Sequence, residues 1–160
     1  MTPARLLRRL GLSPSPLLFS GKPAVALSTA DYAERLVSEH KPTGPRVALL
    51  TGCLMEAAFR EINFATARVL VRNNVQVVVP RSQGCCGAMR EHLGLEGVEE
   101  LRRANRQAFS GKDFDAVVAN SSGCGFALGK ALAGEGPPVR DVLDYLGTLP
   151  LKKATRQPSA

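Results

Sequence analysis

The chain has 160 residues and a mass of 17.0 kDa, the length of one ordinary domain and enough to bury a core without staples. With 44% apolar residues, and 15 glycines and 11 prolines in no repeating period, it is neither disordered throughout nor fibrous, and no uncharged apolar run is long enough for a membrane helix. The net charge of +7 lies wholly in the flanks: residues 1–46 hold seven basic and three acidic side chains, residues 47–150 eleven of each, and residues 151–160 three basic and none acidic.

The N-terminal stretch has Arg5, Arg8 and Arg9 ahead of the uncharged run 10–21, with Ala24-Val25-Ala26 in the small-x-small form of a cleavage site. Gly11, Pro14 and Pro16 break that run, which argues against a secretory signal and for a cytoplasmic protein. Residues 4–10 are expected to form a short basic helix, and Ser28 or Thr29 to cap a second one through about Glu39. Lys41–Pro45 then reads as a linker, so residues 1–45 are expected to be a basic, partly helical appendage.

From Arg46 the pattern alternates between strand and helix. Val47–Leu50 is wholly apolar, the mark of a strand buried on both faces. Glu56–Arg72 has a helical period with Ala58, Phe59, Ile62, Ala65, Val69 and Leu70 on the face expected to be covered. Val75–Val79 predicts a second strand closed by Pro80, and Leu95–Phe109 a second helix with a Glu99–Arg103 surface pair. Ala116–Ala119 predicts a third strand, Ala127–Ala133 a short helix, and Val139–Leu146 a last helix or irregular edge. The expected fold class is α/β: a small two- or three-layer, Rossmann-like unit over 46–147, with a parallel sheet of three to four strands, followed by a basic tail at 148–160. Neither a dinucleotide fingerprint nor a P-loop lysine accompanies it.

Chemistry concentrates in four cysteines. Cys53 follows the first strand, Cys85 and Cys86 the second and Cys124 the third, and in a parallel sheet all three places fall at the carboxyl edge, where ligand crevices open. Each cysteine has a glycine beside it: Gly52, then Gly84 and Gly87, then Gly123 and Gly125. Glycine lets backbone approach a bulky group, and its free N–H can donate to thiolate or sulfide. Single cysteines are often no more than small buried hydrophobes, but four at one edge point to a shared ligand. Adjacent Cys85 and Cys86 suit a polynuclear iron–sulfur cluster better than zinc, whose structural ligands come in pairs two to four residues apart. No C-x-x-C pair marks a thiol–disulfide enzyme. A zinc-stabilised or metal-free interaction module is the competing class.

Thirty-one residues separate Cys53 from Cys85 and thirty-seven separate Cys86 from Cys124. That layout resembles the cysteine-rich CCG domain found in heterodisulfide reductase, in some succinate:quinone reductase subunits and in glycolate oxidase iron–sulfur subunits. The stretches 47–53, 63–70, 84–88 and 121–125 most resemble the first such domain of the glycolate oxidase iron–sulfur subunit. Lactate-utilisation subunits tend to have Thr-Cys-Cys-Gly-Gln-Pro at the middle motif, which 84–88 does not match. The resemblance implies a [4Fe–4S] cluster held by Cys53, Cys85, Cys86 and Cys124. It implies electron transfer rather than organic catalysis, with a flavoprotein subunit that oxidises a 2-hydroxy acid and further iron–sulfur domains as partners. Ser121 stands where the fullest family pattern has the first cysteine of a C-x-x-C, so four ligands are implied and not the five of a noncubane cluster. The ferredoxin signature and second CCG domain of such subunits are missing from these residues, and a fragment or split subunit is the expectation.

The remaining candidates are peripheral. Arg81 and Arg90 flank the double cysteine and are candidates for offsetting cluster charge; His40 reads as a surface residue and His92 as a helix-end or solvated one. With two Tyr, no Trp and no basic-aromatic interleaving in the middle, nucleic acid is not an expected partner. The basic flanks point to an acidic protein partner or to peripheral contact with the inner face of the cell membrane.

Overall fold

The computed structural model describes residues 27–152. The expected helix at 4–10, the proline-punctuated run after it and most of the C-terminal tail lie outside the described residues.

Four parallel strands form one sheet: β1 (Arg46–Leu50), β2 (Gln76–Val78), β3 (Ala116–Ala119) and β4 (Val139–Asp141), in the order β2-β1-β3-β4. Register runs Val47 to Val77 on one side of β1 and Val47 to Ala116 on the other, and Val117 to Val139 at the far edge. Because side chains alternate along a strand, Val47, Leu49, Ala116 and Val118 enter one core while Ala48, Leu50, Val117 and Ala119 enter the other. All eight are at most 2% exposed, which is why β1 and β3 read as unbroken apolar runs.

Helices cover both faces, so the unit has three layers. On the first face lie α1 (Thr29–His40) and α3 (Arg60–Arg72), joined by Tyr145 of the short α7 (Val142–Leu146). On the second lie α5 (Val98–Phe109) and α6 (Ser122–Leu132), which bring Ala108, Phe109, Leu128 and Leu132. Two short helices, α2 (Cys53–Ala58) and α4 (Ala88–His92), sit where β1 and β2 hand over to their crossovers.

Helix α1 starts where its capping residue says it should. The Ser28 side chain accepts the Asp31 N–H at 3.1 Å, and Lys41 closes the helix in a left-handed conformation. The sequence sets this segment apart with the appendage, yet Ala30, Ala33 and Leu36 are buried in the same core as β1, and Tyr32 stacks on Phe64 of α3 with ring centroids 4.2 Å apart. Arg81, beyond β2, clamps it further by pairing with Asp31 at 2.6 Å and Glu34 at 3.0 Å. The Ser28 hydroxyl, with Arg81 beside it, holds the Asp31 carboxyl below its usual range. A carboxyl depressed in this way supports the fold above its unfolded pKa, and that support fades as pH falls through the lower folded value.

The predicted helix 56–72 is two helices, broken at Phe59, whose φ of −131° leaves the helical region. The covered face of α3 also differs from the expected one. Asn63, Phe64, Thr66, Ala67, Leu70 and Val71 point inward, while Phe59, Ile62 and Val69, expected inside, are 42–49% exposed. The Glu99 pairing also differs: its partners are Arg102 and Arg106, one turn and two turns on, instead of Arg103. Helix α6 begins at Ser122 and not at Ala127, so Cys124 sits in its first turn.

Candidate functional site

Each cysteine is delivered to the carboxyl edge by a strand ending. Thr51 and Gly52 follow β1, and Gly52, at φ +68°, turns the chain so that Cys53 opens α2. Residues 79–87 follow β2 as a loop that carries Cys85 and Cys86, closed by Gly87 at φ +81° as it enters α4. Cys124 follows β3 inside the first turn of α6.

Cys53 Sγ lies 3.5 Å from Cys85 Sγ. Cys86 is buried and packs with Ala88, Ala127 and Cys124. Cys124 Sγ is 3.9 Å from where a Cβ on Gly52 would stand, which links this second pair to the turn that bears the first. The four sulfurs are thus two contacting pairs at one edge. Among the described residues, no group of three or more His, Cys, Asp or Glu side chains is set to hold a metal ion.

Burial and neighbouring sulfurs act together on Cys53 and Cys86. Burial pushes Cys86 up to about 12, despite the Ala88 N–H that favours its thiolate. Cys53 is also raised, by burial first and then by Cys85, and the Leu54 N–H opposes that shift. The Gly87 N–H donates toward Cys85 Sγ at 3.5 Å. The Gly87 N–H thus bonds one sulfur, and the Leu54 and Ala88 N–H groups favour the thiolates of Cys53 and Cys86, the kind of influence that supports thiolates bound to iron. Donor type and N–H placement fit an iron–sulfur group. The 3.5 Å contact requires Cys53 and Cys85 to part before they bind separate irons.

Amide side chains that the sequence does not single out hold the edge together. Asn63, fully buried, donates to the Thr51 carbonyl at 3.1 Å and to Glu56 at 3.3 Å, and accepts from Asn120 at 2.9 Å. Thr66 donates to Asn120 at 2.8 Å, and Glu56 accepts the Thr29 N–H at 3.1 Å and pairs with Arg60 at 3.1 Å. Gln83 spans from the Thr51 N–H (2.9 Å) to the Leu49 carbonyl (3.1 Å), fixing the start of the cysteine loop to the end of β1. Asn105 of α5, 1% exposed, accepts from the Gly84 N–H at 3.1 Å and donates to the Cys85 carbonyl at 2.9 Å. A polar residue within the apolar spacing of a helix, between Leu101 and Phe109, is the signal that would have found Asn105.

Asn105→Leu is expected to leave both backbone groups without their partner and to cost about 1–3 kcal/mol. In urea the unfolding midpoint should fall with the slope unchanged. An unchanged midpoint would show that the loop does not depend on this amide.

A cavity of about 400 Å³ opens beside the first pair, lined by Cys53, Cys85, Glu56, Arg60 and Gln83. A larger one, about 540 Å³, lies between α6 and β4; Ser121, Phe126, Lys130 and Arg140 line it and no cysteine does. Arg81 is taken up by α1, and Arg90 donates to the Glu96 carbonyl, so neither stands free to offset charge at the thiols. His40 is exposed at the end of α1 with Nδ1 3.1 Å from the Leu36 carbonyl, and His92 is exposed in the last turn of α4.

The cysteine-rich domain family CCG matches residues 47–129, over half the chain and the span that carries all four cysteines. A probable glycolate oxidase iron–sulfur subunit of Bacillus subtilis is 41% identical over 98 residues, 61% of this chain and 22% of that protein. The glycolate oxidase iron–sulfur subunit of Escherichia coli is 31% identical over 144 residues, 77% of this chain and 35% of that protein. The CoM/CoB fumarate reductase of Methanothermobacter marburgensis has a subunit that is 36% identical over 88 residues, 54% of this chain and 18% of that protein. The chain thus spans about a fifth to a third of the length of these relatives, and no solved structure matches it significantly. It belongs to the CCG cysteine-rich domain family, related to the iron–sulfur subunits of glycolate oxidase and of heterodisulfide-reductase-type enzymes.

Proposed function

We propose that this chain is an iron–sulfur electron-transfer module of a glycolate-oxidase-type complex, with Cys53, Cys85, Cys86 and Cys124 holding a [4Fe–4S] cluster. The observation that carries the reading is the delivery of four thiols from three strand endings to one edge, with the Gly87 N–H donating to one of them. When bound, the cluster supplies one-electron redox chemistry. The chain's own residues supply the thiolates, the N–H donors and the amides of Asn63, Gln83 and Asn105 that fix the loops.

The partners in this reading are a flavoprotein subunit that oxidises a 2-hydroxy acid and further iron–sulfur domains. Support comes from the relatives' names, two of which are glycolate oxidase iron–sulfur subunits. The module acts in the cytoplasm, and its basic flanks would meet an acidic partner or the inner membrane face. Among the described residues no helix is long and apolar enough to cross a membrane.

The test is anaerobic reconstitution of the full chain with iron and sulfide. Stoichiometric iron and acid-labile sulfide, with visible absorbance that dithionite bleaches and reoxidation restores, is the expected result. Colourless protein that binds zinc, or no metal, would replace this reading with an interaction module.

A further inference from the structure

We propose that Cys53 and Cys85 form a reversible intramolecular disulfide by exchange with a low-molecular-weight disulfide whenever they hold no iron. The assignment rests on contact and access and does not require the iron–sulfur reading, although the residues are shared.

The two sulfurs, 3.5 Å apart, are already in van der Waals contact. They come from different elements, the first residue of α2 and the loop after β2, so a bond between them would staple two strand endings. Cys53 is exposed and Cys85 half-buried, and the cavity of about 400 Å³ at their side gives a small disulfide room to approach. Cys86 is 6% exposed and packs against Cys124, Ala88 and Ala127, which withholds it from a reagent in solution. Access selects among thiols in exchange reactions, and here it selects the first pair.

The exchange balances in two displacements. The Cys53 thiolate attacks one sulfur of the small disulfide, forms a mixed disulfide and expels one thiolate. The Cys85 thiolate then attacks the Cys53 sulfur and expels the second. The cysteine pair loses two electrons, the small disulfide gains them, and the two protons released by the cysteines pass to the expelled thiolates. A dithiol reverses both steps. While the bond lasts it withdraws two sulfurs from metal binding.

The probe is oxidised glutathione, added anaerobically to the full chain after reduction and chelation of iron, with remaining thiols then alkylated. Trypsin separates the cysteines into peptides 47–60, 82–90 and 113–130. The expected result is loss of two of the four titratable thiols, a main cross-link between 47–60 and 82–90, its retention in Cys86→Ala and its loss in Cys85→Ala. Fragmentation of the linked wild-type peptide locates the bond at Cys85 even where a variant fails to fold. Glutathione adducts without a cross-link, or a main cross-link between 82–90 and 113–130, would overturn the assignment. Iron uptake is measured separately on the reduced chain: failure there counts against the iron–sulfur reading and leaves the disulfide standing, whereas normal uptake without the cross-link does the reverse.

Discussion

Replacing Cys124 by alanine is expected to strip the proposed cluster from the protein, while Ser121→Ala leaves iron and sulfide content nearly unchanged. Cys124 lies in the first turn of α6 and packs with Cys86, so its removal takes one of four thiolates from the edge. Ser121 lines the cavity between α6 and β4, which no cysteine lines, and a hydroxyl is a far poorer iron ligand than a thiolate. Both variants should keep the wild-type far-UV spectrum, because neither side chain is among the buried residues of the two main cores. Iron and acid-labile sulfide after identical anaerobic reconstitution decide the matter. Equal loss of cluster from both variants would refute the four-cysteine assignment.

The second large effect belongs to the core under α5. Phe109 is fully buried where α5 ends, among Ala48, Leu50, Val117 and Leu128. Phe109→Ala should cost about 3–5 kcal/mol, a transfer loss plus a cavity that a sheet pinned on both faces relaxes into only partly. Against a total of roughly 5–15 kcal/mol for a domain, that is enough to populate unfolded chain near physiological temperature. Urea unfolding of wild type and variant measures it, and a midpoint shift worth less than about 1 kcal/mol would show that the site collapses around the gap.

Sequence and structure agree most closely where one physical requirement acts alone. β1 from Val47 on and the whole of β3 are buried on both faces, so these residues have to be uninterruptedly apolar, and the run Ala116–Ala119 coincides with the bounds of β3. The cysteine edge follows from the alternation of strand and helix alone, since parallel strands put all their endings on one side. Where two requirements compete, the pattern misleads. The inward face of α3 begins with Asn63, a residue whose burial depends on hydrogen bonds to Thr51, Glu56 and Asn120 that no periodicity can reveal. Counting only apolar positions rotates that face and places Ile62 and Val69 inside. Arg81 misleads for a related reason: its acidic partners, Asp31 and Glu34, lie some fifty residues earlier in the chain and meet it only after α1 docks.

The sheet's two borders carry a further consequence. β2 and β4 are three residues each, with Pro80 just beyond the first and Pro138 just before the second. A border this short, beside a residue that lacks an N–H, offers little ladder for a neighbouring strand to extend. The relatives are several times longer than the matched span, so in them a unit of this kind shares its polypeptide with other segments. Blunt borders let such a unit sit in a crowded chain without its sheet recruiting strands from the segments beside it.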